Sequence, residues 1–100
     1  MKTLGEVYNA VIEVLSEIQE FNGQPLPNLI GSTCPTVDLL GFDSFHCVEA
    51  SVLLSGKLGY DIDVKILLPS SASLPPPTID VIACRIMDEI LDKEERKKHD

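Results

Sequence analysis

Residues 39–49 read Leu39-Leu40-Gly41-Phe42-Asp43-Ser44-Phe45-His46-Cys47-Val48-Glu49. They predict the start of a helix, because Asp43 is a preferred N-cap residue and no proline follows before Leu58. Gly59 indicates the end of that helix. The first N–H groups of a helix carry positive partial charge, so a phosphate attached to Ser44 would be stabilised there. From these residues alone, simple helix capping is the other interpretation.

The helix predicted from Ser44 carries apolar residues on two sides. A rotation of 100° per residue places one group on a common side: Cys47, Ala50, Ser51, Leu54 and Leu58. Phe45, Val48 and Val52 share nearly the opposite side. One side must face the core, and the other is either covered by the long preceding loop or exposed for a partner beside Ser44.

The N-terminal region predicts an amphipathic helix from about Thr3 to Phe21, because Thr3 and Glu6 form a capping-box pattern. Apolar residues recur there at helical spacing: Leu4, Val7, Tyr8, Val11, Leu15 and Ile18. The other face is polar and is expected to be solvated: Glu6, Asn9, Glu13, Glu17 and Glu20.

Residues 22–43 contain too many glycines and prolines for a long element, so we expect a long loop with a short helical turn inside it. Five apolar side chains are expected to attach this loop to the core: Leu26, Leu29, Ile30, Val37 and Leu39. Apolar alternation over residues 60–68 is compatible with a strand. Because no partner strand is evident, we predict a loop and a short helix that Pro69 ends.

The C-terminal region predicts a last long helix. Residues 69–77 form a proline-rich connector, after which Thr78 caps the helix and Asp80 lies in its first turn. Its buried face is predicted to contain Ile79, Ile82, Ala83, Ile86, Ile90 and Leu91. The sequence therefore predicts an all-α bundle of three long helices and one short helix, with a long first loop.

Length and charge limit the classes of function. One hundred residues form one small domain, 1–100, and the net charge of −8 argues against nucleic acid and favours basic partners. Half of the basic residues lie in the tail 93–100, where fraying is expected: Lys93, Arg96, Lys97 and Lys98. No apolar run approaches the roughly 20 residues that span a bilayer. We expect a monomer in the cytoplasm.

Neither a metal site nor a catalytic site is predicted. The three cysteines, Cys34, Cys47 and Cys84, form no Cys-x-x-Cys pair and fit a reducing cytoplasm. His46 and Cys47 are adjacent and so point about 100° apart on a helix, which argues against a shared zinc ion. No nucleophile is paired by a motif with either histidine, and no glycine-rich phosphate loop is present.

The residues around Ser44 resemble the attachment motif of acyl carrier proteins. The matching run is Leu40-Gly41-Phe42-Asp43-Ser44-Phe45, with Val48-Glu49 four and five residues beyond the serine. The resemblance continues through Leu58 and Ile62 to Thr78-Ile79-Asp80-Val81-Ile82-Ala83, more than half of the chain. In that family the serine carries a covalent 4′-phosphopantetheine arm, derived from coenzyme A, whose thiol holds an acyl group as a thioester.

The resemblance makes Ser44 the attachment site and gives Asp43 two roles, helix cap and recognition by a phosphopantetheinyl transferase. Because members of the family dock on enzymes through this helix, it also assigns partner contacts: Phe45, Val48, Glu49 and Val52. It implies a discrete carrier, not an enzyme, that delivers acyl groups to acyl-loading and acyl-transferring enzymes of fatty acid, lipid or polyketide-type biosynthesis.

Two departures from typical members favour a specialised pathway. The segment from Ser44 to Thr78 is several residues longer than usual, and the helix after Ser44 is less acidic. Two alternatives stay open. One is a peptidyl or aminoacyl carrier, which uses the same arm, and the other is an unmodified helical adaptor in which Ser44 only caps a helix.

Overall fold

The computed structural model describes residues 3–24, 28–39, 41–69 and 73–98, and side chains up to residue 95. Its elements in chain order are α1 (Leu4–Phe21), α2 (Pro35–Asp38), α3 (Ser44–Leu58), a 3₁₀ helix (Val64–Leu67) and α4 (Ile79–Lys98). Within the described residues there are helices and no strands. The prediction of a small all-α bundle with three long helices is confirmed.

The ends of the long helices follow from local capping. The Thr3 hydroxyl accepts a hydrogen bond from the Glu6 N–H at 3.2 Å, and the Thr78 hydroxyl accepts one from the Val81 N–H at 3.3 Å. Gly59 ends α3 with a φ of 76°, in the left-handed region that glycine adopts readily. The predicted starts of α1 and α4 and the predicted end of α3 are therefore confirmed.

The core lies where α1 packs against α3 and α4, with the 3₁₀ helix filling the space between α3 and α4. It is almost wholly aliphatic, and its fully covered side chains include Val11, Val14, Leu54, Ile82, Ile86 and Ile90. The predicted buried side of α3 is confirmed, including Ser51, whose hydroxyl donates to the Val48 carbonyl at 2.7 Å. Among the helices that the structure describes, none is long and apolar enough to cross a membrane.

Two predicted core positions at the helices are wrong. Leu91 is 44% exposed, because it lies 100° around the helix from Ile90 and so falls beside the buried stripe of α4. Leu4 is about half exposed, because an open groove separates the beginning of α1 from the beginning of α4.

The long loop attaches to the core through fewer side chains than predicted. Leu39 is buried and Leu29 packs partly against the core, whereas Ile30 and Val37 are exposed and Leu26 lies outside the described residues. The Ile30 N–H donates to the Thr33 hydroxyl at 3.1 Å, which makes a local turn. In the predicted short helix, now α2, Pro35 takes the buried side and Val37 faces outward.

The backbone of the long loop also caps α4. The N–H groups of Ile79 and Asp80 donate to the carbonyls of Thr33 and Gly31, at 2.9 and 3.0 Å. A Cβ atom at Gly31 would clash with the Asp80 carboxylate, so a larger residue at this position would require that exposed side chain to move. These contacts therefore join the long loop to the beginning of α4.

Side chains of α4 hold the segment between α3 and the connector. Arg85 Nη1 donates to the carbonyls of Ile66 and Leu68, at 3.0 and 2.9 Å. About two turns further along α4, Lys93 donates to the Asp61 carbonyl, and Glu94 accepts a hydrogen bond from the Tyr60 hydroxyl. These bonds fix the 3₁₀ helix against α4. The helix continues through Lys98 and so includes most of the charged tail.

Candidate functional site

Ser44 is the first residue of α3 and its side chain is exposed. Within the described part of the chain, no hydrogen bond engages its hydroxyl. The N–H groups of Ser44 and Phe45 belong to the first turn, where N–H groups have no partner inside the helix. The site thus presents a reachable hydroxyl beside backbone donors and the positive end of a helix dipole.

Asp43 caps α3 as predicted, and His46 completes the cap. The Asp43 carboxylate accepts the His46 N–H at 3.2 Å, and His46 Nδ1 lies 2.9 Å from the same carboxylate oxygen. A proton on Nδ1 makes the ring a donor to that carboxylate; without it, Nδ1 accepts the Asp43 N–H at 3.5 Å. The backbone hydrogen bond from His46, followed by its side chain, lowers the pKa of Asp43 below its ordinary 3.8.

Sequence reasoning missed the way in which aromatic rings position this cap. The His46 ring stacks on Phe42 with centroids 5.7 Å apart and meets the edge of Phe45 at 5.9 Å. Phe42 is buried in the core, although it directly precedes the cap. Phe42 and Cys47, both buried, occupy the two positions of a hydrophobic staple. The sequence signal for this staple is the spacing of two apolar residues, one directly before the cap and one at the fourth position of the helix.

The structure decides between the two interpretations of the second apolar side of α3. Phe45, Val48 and Val52 are 72%, 50% and 65% exposed, so the long loop does not cover them. We call these three residues, Phe45, Val48 and Val52, the exposed stripe. Glu49 lies half-buried beside it. Every predicted partner-contact residue therefore lies on the side of α3 away from the core, and the stripe begins next to Ser44.

A groove adjoins the stripe, where α3 meets the end of α1. It has a volume of about 290 Å³ and is lined by Glu17, Ile18, Phe21, Glu49 and Leu53. Near it, Lys57 forms ion pairs with Glu13 at 3.1 Å and with Glu17 at 3.5 Å. The hydrogen bond that Lys57 donates to the Glu13 carboxylate, followed by the charge of Glu17, raises the pKa of Lys57. The sequence pattern of α3 did not indicate this groove, because Phe21 and Ile18 come from another helix.

The cysteines and histidine of the described residues do not converge. Cys47 is buried, and burial raises the pKa of its thiol, whereas Cys84 is exposed on α4. The Cys34 thiol donates to the Pro76 carbonyl at 3.5 Å, which ties the long loop to the connector. In the ranges that the structure describes, no three His, Cys, Asp or Glu side chains are arranged to hold a metal ion.

Comparisons with protein-family models, with curated proteins and with solved structures found no match for this chain. The resemblance to acyl carrier proteins therefore stays a prediction that depends on the residues around Ser44. The physical case for a function comes from the geometry of Ser44, its cap and the exposed stripe.

Proposed function

We propose that this protein is an acyl carrier protein in which Ser44 is the attachment site of 4′-phosphopantetheine. The observation that carries the proposal is the exposed, unbonded Ser44 hydroxyl at the start of α3, next to the exposed stripe. A carrier needs both features, because a transferase must reach the serine and further enzymes must dock close to the arm. In this role the chain is a substrate and partner of enzymes.

The first turn of α3 suits the attached group. In the proposed reaction, Ser44 Oγ attacks the coenzyme A phosphorus that bears pantetheine, its proton passes to a base of the transferase, and adenosine 3′,5′-bisphosphate leaves. The phosphodiester then carries one negative charge beside the Ser44 and Phe45 N–H groups, where the helix dipole favours an anion. The group supplies a terminal thiol that holds the acyl chain as a thioester.

The surface beside Ser44 supports docking by enzymes. The stripe offers apolar contact, while Asp43 and Glu49 add negative charge to a chain whose net charge is −8. Partners with basic surfaces are therefore favoured: a phosphopantetheinyl transferase and the acyl-loading and acyl-transferring enzymes of fatty acid, lipid or polyketide-type biosynthesis. A peptidyl or aminoacyl carrier would use the same serine and arm, with an amino acid as cargo.

The cellular location that we propose is the cytoplasm. Cys34, Cys47 and Cys84 are all unpaired thiols in the structure, which is compatible with a reducing compartment. The exposed Cys84 would be the first of the three to react in an oxidising one.

An unmodified helical adaptor is the second candidate, because the exposed stripe would serve a protein interface equally well without an arm. In that case Asp43 caps α3, and Ser44 has no chemical role. The two candidates differ in whether Ser44 is a substrate, so a covalent readout separates them.

The test is the intact mass of the purified protein after incubation with coenzyme A and a broad-specificity phosphopantetheinyl transferase. We expect a gain of one phosphopantetheine, absent in Ser44→Ala and unchanged in the control Ser32→Ala, which alters another exposed serine. Failure to gain mass, with the fold intact by circular dichroism, would favour the adaptor. A gain that persists in Ser44→Ala would overturn the site.

A further inference from the structure

The groove between the end of α1 and the middle of α3 is separate from the attachment site. We call it the α1–α3 groove and define it by Glu17, Ile18, Phe21, Glu49 and Leu53. Leu53 follows Ser44 by nine residues, about 14 Å along the axis at 1.5 Å per residue. Its apolar lining consists of buried Ile18 and the exposed side chains of Phe21 and Leu53.

The fold itself does not require the two exposed lining residues, Phe21 and Leu53, to be apolar. Phe21 is 87% exposed at the last position of α1, so its ring contributes little to the core. Leu53 is also exposed, on the same flank of α3 as Glu49 and next to Val52 of the stripe. An aromatic and a branched side chain that line the same open groove form the kind of pocket that an inserted side chain fills.

The charge around the groove selects the chemistry of the occupant. Glu17 and Glu49 lie on its rim, and Glu20 is exposed nearby on α1. Lys57 pairs with Glu17, whereas Glu49 has no ion-pair partner among the residues that the structure describes. A second copy of this chain, also at −8, would bring repulsion to this rim, so a basic partner is favoured.

We propose that the α1–α3 groove binds a basic amphipathic helix of a partner protein. An apolar side chain of that helix inserts between Phe21 and Leu53, and a lysine or arginine pairs with Glu49. This interaction needs no modification of Ser44, so both a carrier and an unmodified adaptor can make it, and it shares only Glu49 with the docking surface proposed above. The partner surface then includes residues of both α1 and α3, in addition to the exposed stripe on α3.

The test uses a synthetic helical peptide of leucine and lysine, with leucines on one face and a single tryptophan at its end. The protein has two tyrosines but no tryptophan, so selectively excited tryptophan fluorescence reports the peptide alone. We expect saturable binding that shifts the nuclear magnetic resonance signals of Ile18 and Leu53, and equal affinity for Ser44→Ala. A matched leucine–glutamate peptide should not bind, because it would bring like charge to Glu49.

Paired variants locate the binding surface. Leu53→Ser and Phe21→Ser should each weaken binding about tenfold, as expected for apolar side chains that the peptide buries on binding. Leu91→Ser, an exposed leucine on α4, should leave it unchanged. Likewise Glu49→Gln should weaken binding and remove part of its salt dependence, whereas Glu95→Gln on α4 should not.

Three results would overturn the proposal. Equal losses in Leu53→Ser and Leu91→Ser would mean non-specific attraction to an acidic protein. A dimer in sedimentation that Leu53→Ser abolishes would make a second copy the occupant. Signals of Leu53 that shift when an attached arm is acylated, without any peptide, would make the acyl chain the occupant.

Discussion

Helices α1 and α3 pack against each other, yet their outer faces differ. The outer face of α1 is polar and exposed, as in an ordinary surface helix: Glu6, Asn9, Glu13, Glu17 and Glu20. The outer face of α3 is apolar and exposed at Phe45, Val48 and Val52. Apart from exposed Leu4 and Phe21 at its two ends, folding accounts for both faces of α1, but it accounts only for the buried face of α3. The exposed stripe therefore needs another explanation, which docking beside Ser44 supplies.

The largest expected effect compares the two faces of α3 directly. Leu54→Ala removes a buried core side chain and should lower the free energy of unfolding by about 2–5 kcal/mol. Val52→Ala, two residues away on the exposed stripe, should change it by no more than about 0.5 kcal/mol. Urea unfolding followed by circular dichroism measures both. Similar losses would mean that the stripe is structural.

The next effect concerns docking on the exposed stripe. Val48→Asp and Glu49→Lys should each slow transfer of phosphopantetheine to Ser44 by about tenfold, because they remove apolar contact or reverse charge. Transfer of phosphopantetheine to the unsubstituted protein should also slow as the salt concentration rises, since exposed charges are screened beyond about 8 Å at physiological ionic strength. Leu91→Asp on α4 is the matched control. Unchanged rates in folded Val48→Asp protein would place docking elsewhere.

A smaller effect tests whether the buried face of α3 shelters the cargo. Each methylene withdrawn from water contributes about 0.8 kcal/mol, so a medium-length acyl chain should favour the aliphatic interior. We expect nuclear magnetic resonance shifts at buried Ala50, Leu54, Ile66 and Ile82 when the arm is acylated, and little change for the bare arm. Shifts confined to surface residues in both forms would favour an aminoacyl or peptidyl carrier.

The smallest effect concerns the cap of α3 and pH. Because the folded-state pKa of Asp43 is lowered below 3.8, its ionised form stabilises the fold above that pH, and this contribution is lost as pH falls through the folded-state value. Asp43→Asn keeps a capping oxygen but does not titrate. The stability difference between the two proteins should change as the pH falls below about pH 4. A constant difference down to pH 2 or so would contradict this account.

The helix boundaries were predictable because they are set by local chemistry. Thr3, Asp43 and Thr78 each cap a helix through their own side chains, and Gly59 ends one through its backbone freedom. The Ser44 position follows from the same local pattern. Two apolar sides of α3 were also readable from the 100° rotation per residue, although only the structure shows which is exposed.

Contacts between distant segments were not predictable in this way. Arg85 bonds to carbonyls of Ile66 and Leu68, which any residue types could supply, so the sequence carries no signal for the pairing. The close approach of Gly31 to the Asp80 side chain likewise joins residues almost fifty positions apart in the chain. The exposure of Leu91 has a local cause, because its angle on α4 places it beside the buried stripe despite its apolar character.

The most direct test of the carrier role of Ser44 is the lability of its cargo. The transferase would load the protein with acetylated pantetheine from acetyl-coenzyme A, and the intact mass would be measured before and after neutral hydroxylamine. The account predicts that hydroxylamine removes the acetyl group and leaves the arm, and that Ser44→Ala gains neither. Absence of any adduct on the folded natural sequence, or an acetylated arm on Ser44→Ala, would contradict it.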